Sequence, residues 1–177
     1  MRDATPSPMK DPRRLLAFFS IVVVMLMIAG AVSFVRYARR NAPDLHLLAV
    51  APFDIFVADL EQWRVQLAEG VTQQLTATPP LRAVPQAVVR ERWRGAERPE
   101  IAAVELARRT SAGVAIYGRL DSLSGQRDSV RVQVIAIDAS SGRVLFGLIQ
   151  HWRAADLRGI AAVLARQIRQ NYRYPGD

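Results

Sequence analysis

The sequence predicts an α/β domain, a mixed sheet with helices packed on it, preceded by one transmembrane helix. Three observations point there. Residues 15–35, LLAFFSIVVVMLMIAGAVSFV, carry no charge and are bracketed by Arg13-Arg14 and by Arg36, Arg39 and Arg40. Beyond residue 43, short strand-like apolar runs alternate with stretches whose apolar residues recur every three or four positions. The chain then closes with three successive strand-like runs and one amphipathic stretch. The order β-α-β-α-β-β-β-α implies helices covering a mixed sheet.

The uncharged segment would make a helix of roughly 31 Å, about the hydrocarbon thickness of a bilayer. A helix can cross there because it satisfies its own backbone hydrogen bonds. A retained signal anchor is the leading reading. A cleaved signal peptide is the alternative, since Ala29-Gly30-Ala31 fits a small-x-small cleavage pattern. Four basic residues precede the span and three follow it closely, so the positive-inside rule barely orients it. A short N-terminal tail with a large C-terminal domain suits a signal anchor whose head lies outside the cytoplasmic membrane.

The rest divides accordingly. Residues 1–14, with three prolines, are expected to be a disordered tail. Residues 36–43 form a linker, 44–172 the α/β domain and 173–177 a tail. Net charge is +8, of which 1–43 contributes +5 (seven Lys or Arg, two Asp) and 44–177 only +3 (17 Arg, 14 Asp or Glu). Much of the basic charge therefore flanks the span, where it meets lipid head groups. The head is only modestly basic, which is poor support for nucleic-acid binding. With no cysteine in the chain, disulfides, thiolate metal sites and thiol catalysis are excluded.

Each element has its own signal. LHLLAVAPF, 45–53, is a continuous apolar run, as in a strand buried on both faces. In 58–77, Leu60, Trp63, Leu67, Val71 and Leu75 lie on one helical face, and Pro79-Pro80 stops the helix. Leu81 to Val84 reads as a short strand, followed by an irregular or helical stretch to Trp93. Pro99 stands at a first helical position for 99–110. Residues 113–123, 129–138 and 143–152 are the three strands. Val130, Val132 and Val134 face one side of the second, with Arg131 and Gln133 on the other. Ala139 to Gly142 makes a tight hairpin turn between the last two. In 155–171, Leu157, Ile160, Ala161, Leu164 and Ile168 share a face. Gly70 inside the first helix costs about 1 kcal/mol against alanine, which close packing on the sheet would explain.

This order and its local motifs resemble the TolB-like N-terminal domain and the related FlgO-type domain over about residues 44–170. The matching stretches are Ala51-Pro52-Phe53 at a strand end, Ala68 to Leu75 (AEGVTQQL) in the first helix, and Leu81 to Pro85 after it. Ala103 to Leu120 is similar to the family's helix-then-strand, and Val130 to Leu145 to its hairpin with an Ile-Asp pair before the turn. Ser141 stands where a threonine is usual. After Phe53 the chain reads Asp54-Ile55-Phe56-Val57-Ala58 in place of a polar Asn- and Asp-rich loop. The resemblance implies a binding or scaffolding role outside the cytoplasmic membrane, without catalysis. Relatives often sit beyond a span in larger signalling chains. Here such a role is expected to need a separate partner chain, and the Tol–Pal role of TolB itself is not expected to transfer.

Few residues invite chemistry. His46 and His151 lie far apart in predicted strands and supply no metal-ligand spacing. Ser111, Ser122, Ser124 and Ser129 have no Gly-x-Ser-x-Gly context, and there is no phosphate-binding loop. No cofactor or metal is expected, and no enzyme activity; an enzymatic reading would fall on Asp54 or His151 without a substrate to name. Tyr172 and Tyr174 fall in a polar tail and receive no role. The candidate partner surface is Asp54, Asp59 and Glu61 on one stretch and Arg90, Arg92, Trp93, Arg94 and Arg98 on another. The acids could frame a cation or a partner's arginine, or simply suit a helix N-terminus. The arginines and Trp93 could meet an anionic lipid, a glycan or an acidic protein, or form a solvated loop with Trp93 tucked into the sheet edge. The expected partners are the bilayer through 15–35 and an envelope protein, with a homo-oligomer possible and nucleic acid not expected. The alternatives are a FlgO-like structural assembly factor and a cytoplasm-facing regulator using Arg90, Arg92 and Arg94.

Overall fold

The computed structural model describes residues 25–33, 43–95, 98–123 and 126–172. The chain divides into two units, Met1–Ala42 and Pro43–Asp177. In the first, residues 25–33 are helical. The remainder of the expected 15–35 span, the 1–14 tail, linker residues 36–42 and the 173–177 tail lie outside the described residues. Among the described residues no helix is long and apolar enough to cross a membrane.

The second unit is the expected mixed α/β domain. Its elements are β1 (Asp44–Val50), β2 (Asp54–Phe56), α1 (Trp63–Thr76), β3 (Arg82–Ala83), α2 (Gln86–Arg92), α3 (Pro99–Arg109), β4 (Ala112–Leu123), β5 (Gln126–Asp138), β6 (Val144–Arg153), a 3-10 turn (Ala154–Gly159) and α4 (Ile160–Asn171). The sheet runs β3-β1-β4-β5-β6. β1 pairs in parallel with β3 and β4, and β4, β5 and β6 form an antiparallel meander.

Three elements sharpen or depart from the sequence expectation. The expected 155–171 helix opens as the 3-10 turn and becomes α-helical only at Ile160. The stretch 86–92 is a helix, which resolves the irregular-or-helical alternative. β2 was not expected at all. Pro52 interrupts pairing after β1, and the chain then rejoins β4 further along, with Asp54 opposite Arg119 and Phe56 opposite Asp121. Three residues are too few to show a period. The first helix also starts at Trp63 instead of 58, because Val57 to Gln62 turn to bring the chain back over the sheet.

β1 is buried on both faces as its apolar run implies. Leu48 and Val50 join one core and Ala49 and Ala51 the other. The first core is built from large residues. Val114, Ile116 and Leu120 of β4 and Val130, Val132 and Val134 of β5 pack under Leu67, Val71 and Leu75 of α1 and Ile160, Leu164 and Ile168 of α4. The second is richer in small ones: Ala103 and Ala107 of α3 join Ala49, Ala112 and Ala115, beside the larger Leu106, Tyr117 and Ile137. Small side chains let α3 approach the sheet closely.

The helix glycine has a packing reason. A Cβ on Gly70 would stand 2.8 Å from the Cβ of Ala161, so the residue lets α1 and α4 touch. Alanine there gains about 1 kcal/mol of helix propensity but forces that contact apart, an overpacking cost of about 1–3 kcal/mol. Gly70→Ala is expected to lower stability by about 1 kcal/mol, and Gly70→Ala with Ala161→Gly to recover most of it. Urea midpoints of the two variants check this.

All four helices begin near the carboxyl end of β1 and end near its start. Phe53 N–H donates to the carbonyl of Arg64 in the first turn of α1. Gln86 Nε2 donates to the carbonyl of Val50. At the other end, Tyr172 Oη donates to the carbonyl of Leu45 at 2.7 Å. Tyr172 is therefore a packed residue at the end of α4, not part of a frayed tail. Arg169 and Arg92 bind carbonyls in the last turns of α1 and α3, those of Gln74 and Arg109, where the macrodipole is negative. Arg108 reaches from the last turn of α3 to the carbonyls of Ala139 and Ser140 in the β5–β6 turn. Part of the head's basic charge is thus structural.

The β5–β6 turn is held by Asp138. Its Oδ1 accepts from the backbone N–H and hydroxyl of both Ser140 and Ser141, and Gly142 takes the left-handed conformation at φ +71°. The Ser140 hydroxyl and then the Ser141 N–H hold the carboxyl below its ordinary value of 3.8. A depressed folded pKa gives stability that is full above the unfolded pKa and is lost as pH falls through the folded one. Asp138→Asn is expected to flatten the acid limb of a melting-temperature profile below about pH 4.

Candidate docking groove

At the carboxyl end of β1, the second half of β4, β2 and the start of α3 enclose an open groove of about 860 Å³. In α/β sheets this is the end where ligands meet the strand termini and helix starts. Strand alternation sets its floor. Asp54 and Phe56 point to this face while Ile55 points into the large core, and Tyr117, Arg119 and Asp121 of β4 lie on the same face. Arg64, Arg98, Glu100 and Ile101 are among the other residues that line it.

Two polar arrangements fix the groove. Tyr117 Oη donates to Asp54 Oδ2 at 2.8 Å, and Arg64 Nη1 lies 4.0 Å from Asp54 Oδ1. Burial, reinforced by the Asp54 hydrogen bond, pushes the Tyr117 phenol above its ordinary pKa of 10. The hydroxyl is thereby kept as a donor and is a poor nucleophile. Asp121, 7% exposed, accepts from Arg119 Nε at 2.7 Å and Arg131 Nη2 at 3.1 Å. That bond aims the Arg119 guanidinium, whose Cζ stands 4.6 Å from the centroid of the Phe56 ring. Such a cation–π contact is worth about 0.5–1 kcal/mol at an exposed site. Phe56 and Ile101 are nonetheless 60% and 54% exposed.

The raised phenol pKa has a signed consequence. Its contribution to stability is full below the unfolded pKa near 10 and is lost as pH rises above it. An alkaline absorbance titration should show one tyrosine that ionises only when the chain unfolds, and Tyr117→Phe should remove that step.

The structure brings Asp54 and Arg98 from the predicted surface into this groove. Asp59 and Glu61 are exposed on the turn before α1, with Asp59 in the left-handed region at φ 66°. Arg90 and Arg92 are exposed on α2, and Arg94 bonds the carbonyls of Glu91 and Trp93. Trp93 packs half-buried against the second core. Sequence reasoning did not find Phe56, Arg64, Ile101, Tyr117 or Arg119. The alternation Tyr117-x-Arg119-x-Asp121 along one strand was the available signal; the β2 pairing that adds Phe56 had none. His46 and His151 sit on β1 and β6, three places apart in the sheet order. Among the described residues no group of three or more His, Asp or Glu is placed to hold a metal.

No protein-family profile matches the chain, and no curated protein matches it in sequence. Solved structures do match. Lipoprotein GNA1162 from Neisseria meningitidis is similar over 70% of this chain and 96% of its own, at 16% identity and a TM-score of 0.51. TolB from Acinetobacter baumannii matches over 74% of this chain at 14% identity and a TM-score of 0.47. This chain spans only 29% of that TolB. The PelC dodecamer from Paraburkholderia phytofirmans matches over 74% of this chain and 89% of its own, at 16% identity and a TM-score of 0.47. The head thus shares its α/β fold with a bacterial lipoprotein.

Proposed function

We propose that this protein is a membrane-anchored, non-catalytic binding module of the cell envelope, of the TolB-like N-terminal type, with its head outside the cytoplasmic membrane. The groove receives a protein partner, and residues 15–35 hold the head at the bilayer. The observation that carries this reading is Phe56, an exposed ring held in place by Arg119 beside exposed Ile101. Large exposed apolar side chains with a polar rim are how docking surfaces look. The sequence motifs that resemble the TolB-like domain and the fold shared with lipoprotein GNA1162 support an envelope setting.

Two experiments test it. Compartment reporters fused at Asp177 should be active only outside the membrane; activity only inside would sink the envelope reading. A photo-crosslinking amino acid at position 56 should give a discrete adduct in cells that the same group at Arg166, exposed on α4, does not give. Arg119→Glu should weaken that capture about ten-fold, as expected for a hot-spot loss of about 1.4 kcal/mol. Equal adducts at both positions would remove the groove as the docking surface.

A further inference from the structure

A second surface stands apart from the groove. β6 is the end strand of the sheet and, among the described residues, pairs with β5 alone. It is ten residues long and alternates regularly. Phe146, Leu148, Gln150 and Trp152 are half-buried over the large core, and Leu145, Gly147, Ile149 and His151 are exposed. The helices on the second face lie over β1 and β4, and Ile149 is 57% exposed. Natural edge strands are usually guarded by lysine, proline, inward charge or short length. VLFGLIQHWR has no lysine, no proline and no acid, and its one formal charge is the terminal Arg153.

The geometry points to β6 as the acceptor of an added strand, an acidic extended segment of a partner protein. Main-chain hydrogen bonds to the free edge would supply affinity and alternate side chains the choice of partner. Charge decides the occupant. Arg143 and Arg153 bracket the strand, and Arg131 stands opposite His151 on its exposed face. Of the acids on the neighbouring strands, Asp138 is occupied by its turn and Asp121 by Arg119 and Arg131, while exposed Asp128 stands next to Ser129, the residue paired with Arg153. A second copy fits worse. Antiparallel self-pairing that keeps equivalent faces together and is centred on Leu148 sets Arg153 of each copy opposite Arg143 of the other. In that register, the one that brings both strand ends together, arginine meets arginine twice, and like charges across a strand pair destabilise it.

The test uses the full chain in detergent and labelled peptides of about nine residues, long enough to span the strand. One alternates glutamate with valine, and its counterpart alternates lysine with valine. The glutamate peptide is expected to bind about ten-fold more tightly, as two or three rim charge pairs would give. It should also slow hydrogen exchange at alternate β6 amides, those not bonded to β5. Arg143→Glu with Arg153→Glu should invert the peptide preference, a result that unfolding cannot imitate. Phe56→Ala should leave peptide binding unchanged, which separates this surface from the groove. The inference is overturned by glutamate-peptide binding without β6 protection or by no saturable binding up to about 1 mM. It is equally overturned by a dimer whose β6 amides are protected without peptide.

Discussion

Gly118→Ala is expected to destabilise the head by about 3 kcal/mol, the upper part of the range for overpacking a core. A Cβ at this position would stand 2.2 Å from Cε1 and 2.3 Å from Cδ1 of Phe53. The ring has nowhere to go, because Phe53 is fully buried. Gly118 lies where β4 passes from pairing with β1 to pairing with β2, and Phe53 fills the gap between those strands. Phe53→Ala alone should cost about 4 kcal/mol through lost burial and a residual cavity. The pair must then be non-additive, because truncating the ring makes room for the new methyl. The double variant should cost about 2 kcal/mol less than the sum. Urea unfolding followed by fluorescence reads this directly, since Trp63, Trp93 and Trp152 all lie in the head. An additive cycle would mean that Gly118 has another role. The groove should loosen too, because the same Pro52-Phe53 step leads into Asp54 and Phe56.

Leu164→Ala is expected to cost about 3 kcal/mol, while Arg166→Ala, two residues along the same helix, should stay within about 0.5 kcal/mol. Leu164 is fully buried and Arg166 exposed. α4 reaches the sheet through Leu157 in the preceding turn and through Ile160, Leu164 and Ile168, and it reaches α1 at the Gly70–Ala161 contact. A truncation in the middle of that row leaves a cavity that the close α1–α4 contact keeps from collapsing. The same layer supports Phe146, Leu148 and Trp152 on β6. Leu164→Ala should therefore also speed hydrogen exchange along β6 more than along β1. A cost below about 1 kcal/mol would mean that α4 is only loosely seated.

Much of the architecture is legible along the chain because burial imposes a period. Val130, Val132 and Val134 all face the large core as the alternation in β5 implies, with Arg131 exposed on the other face. Leu67, Val71 and Leu75 are buried at helical spacing. The apolar run of β1 is covered on both faces, and the turn after Asp138 closes at Gly142. Gly70 was expected to let its helix pack closely on the sheet, whereas the close contact it permits is with Ala161 of α4, 91 residues away. The candidate surface was legible only in part. Asp54 and Arg98 were singled out by charge, and they do line the groove. Trp93 carried the same signal and is packed against the core, because an isolated tryptophan reads alike in either setting.

What the sequence by itself determined is whatever depends on neighbours within one element: the uncharged 15–35 segment, the type and order of the longer strands and helices, which face of each is apolar, and the absence of thiol chemistry. What only the tertiary structure decided depends on register between distant segments. The three-residue strand β2 exists because β4 runs on past β1 and offers it an edge. That pairing sets Phe56 under Arg119, and the bond from Arg119 to Asp121 aims the guanidinium. The free edge of β6 likewise follows from the strand order. Periodicity records which side of an element is buried, whereas a groove or an open edge is made by the relative placement of elements, which no local pattern encodes.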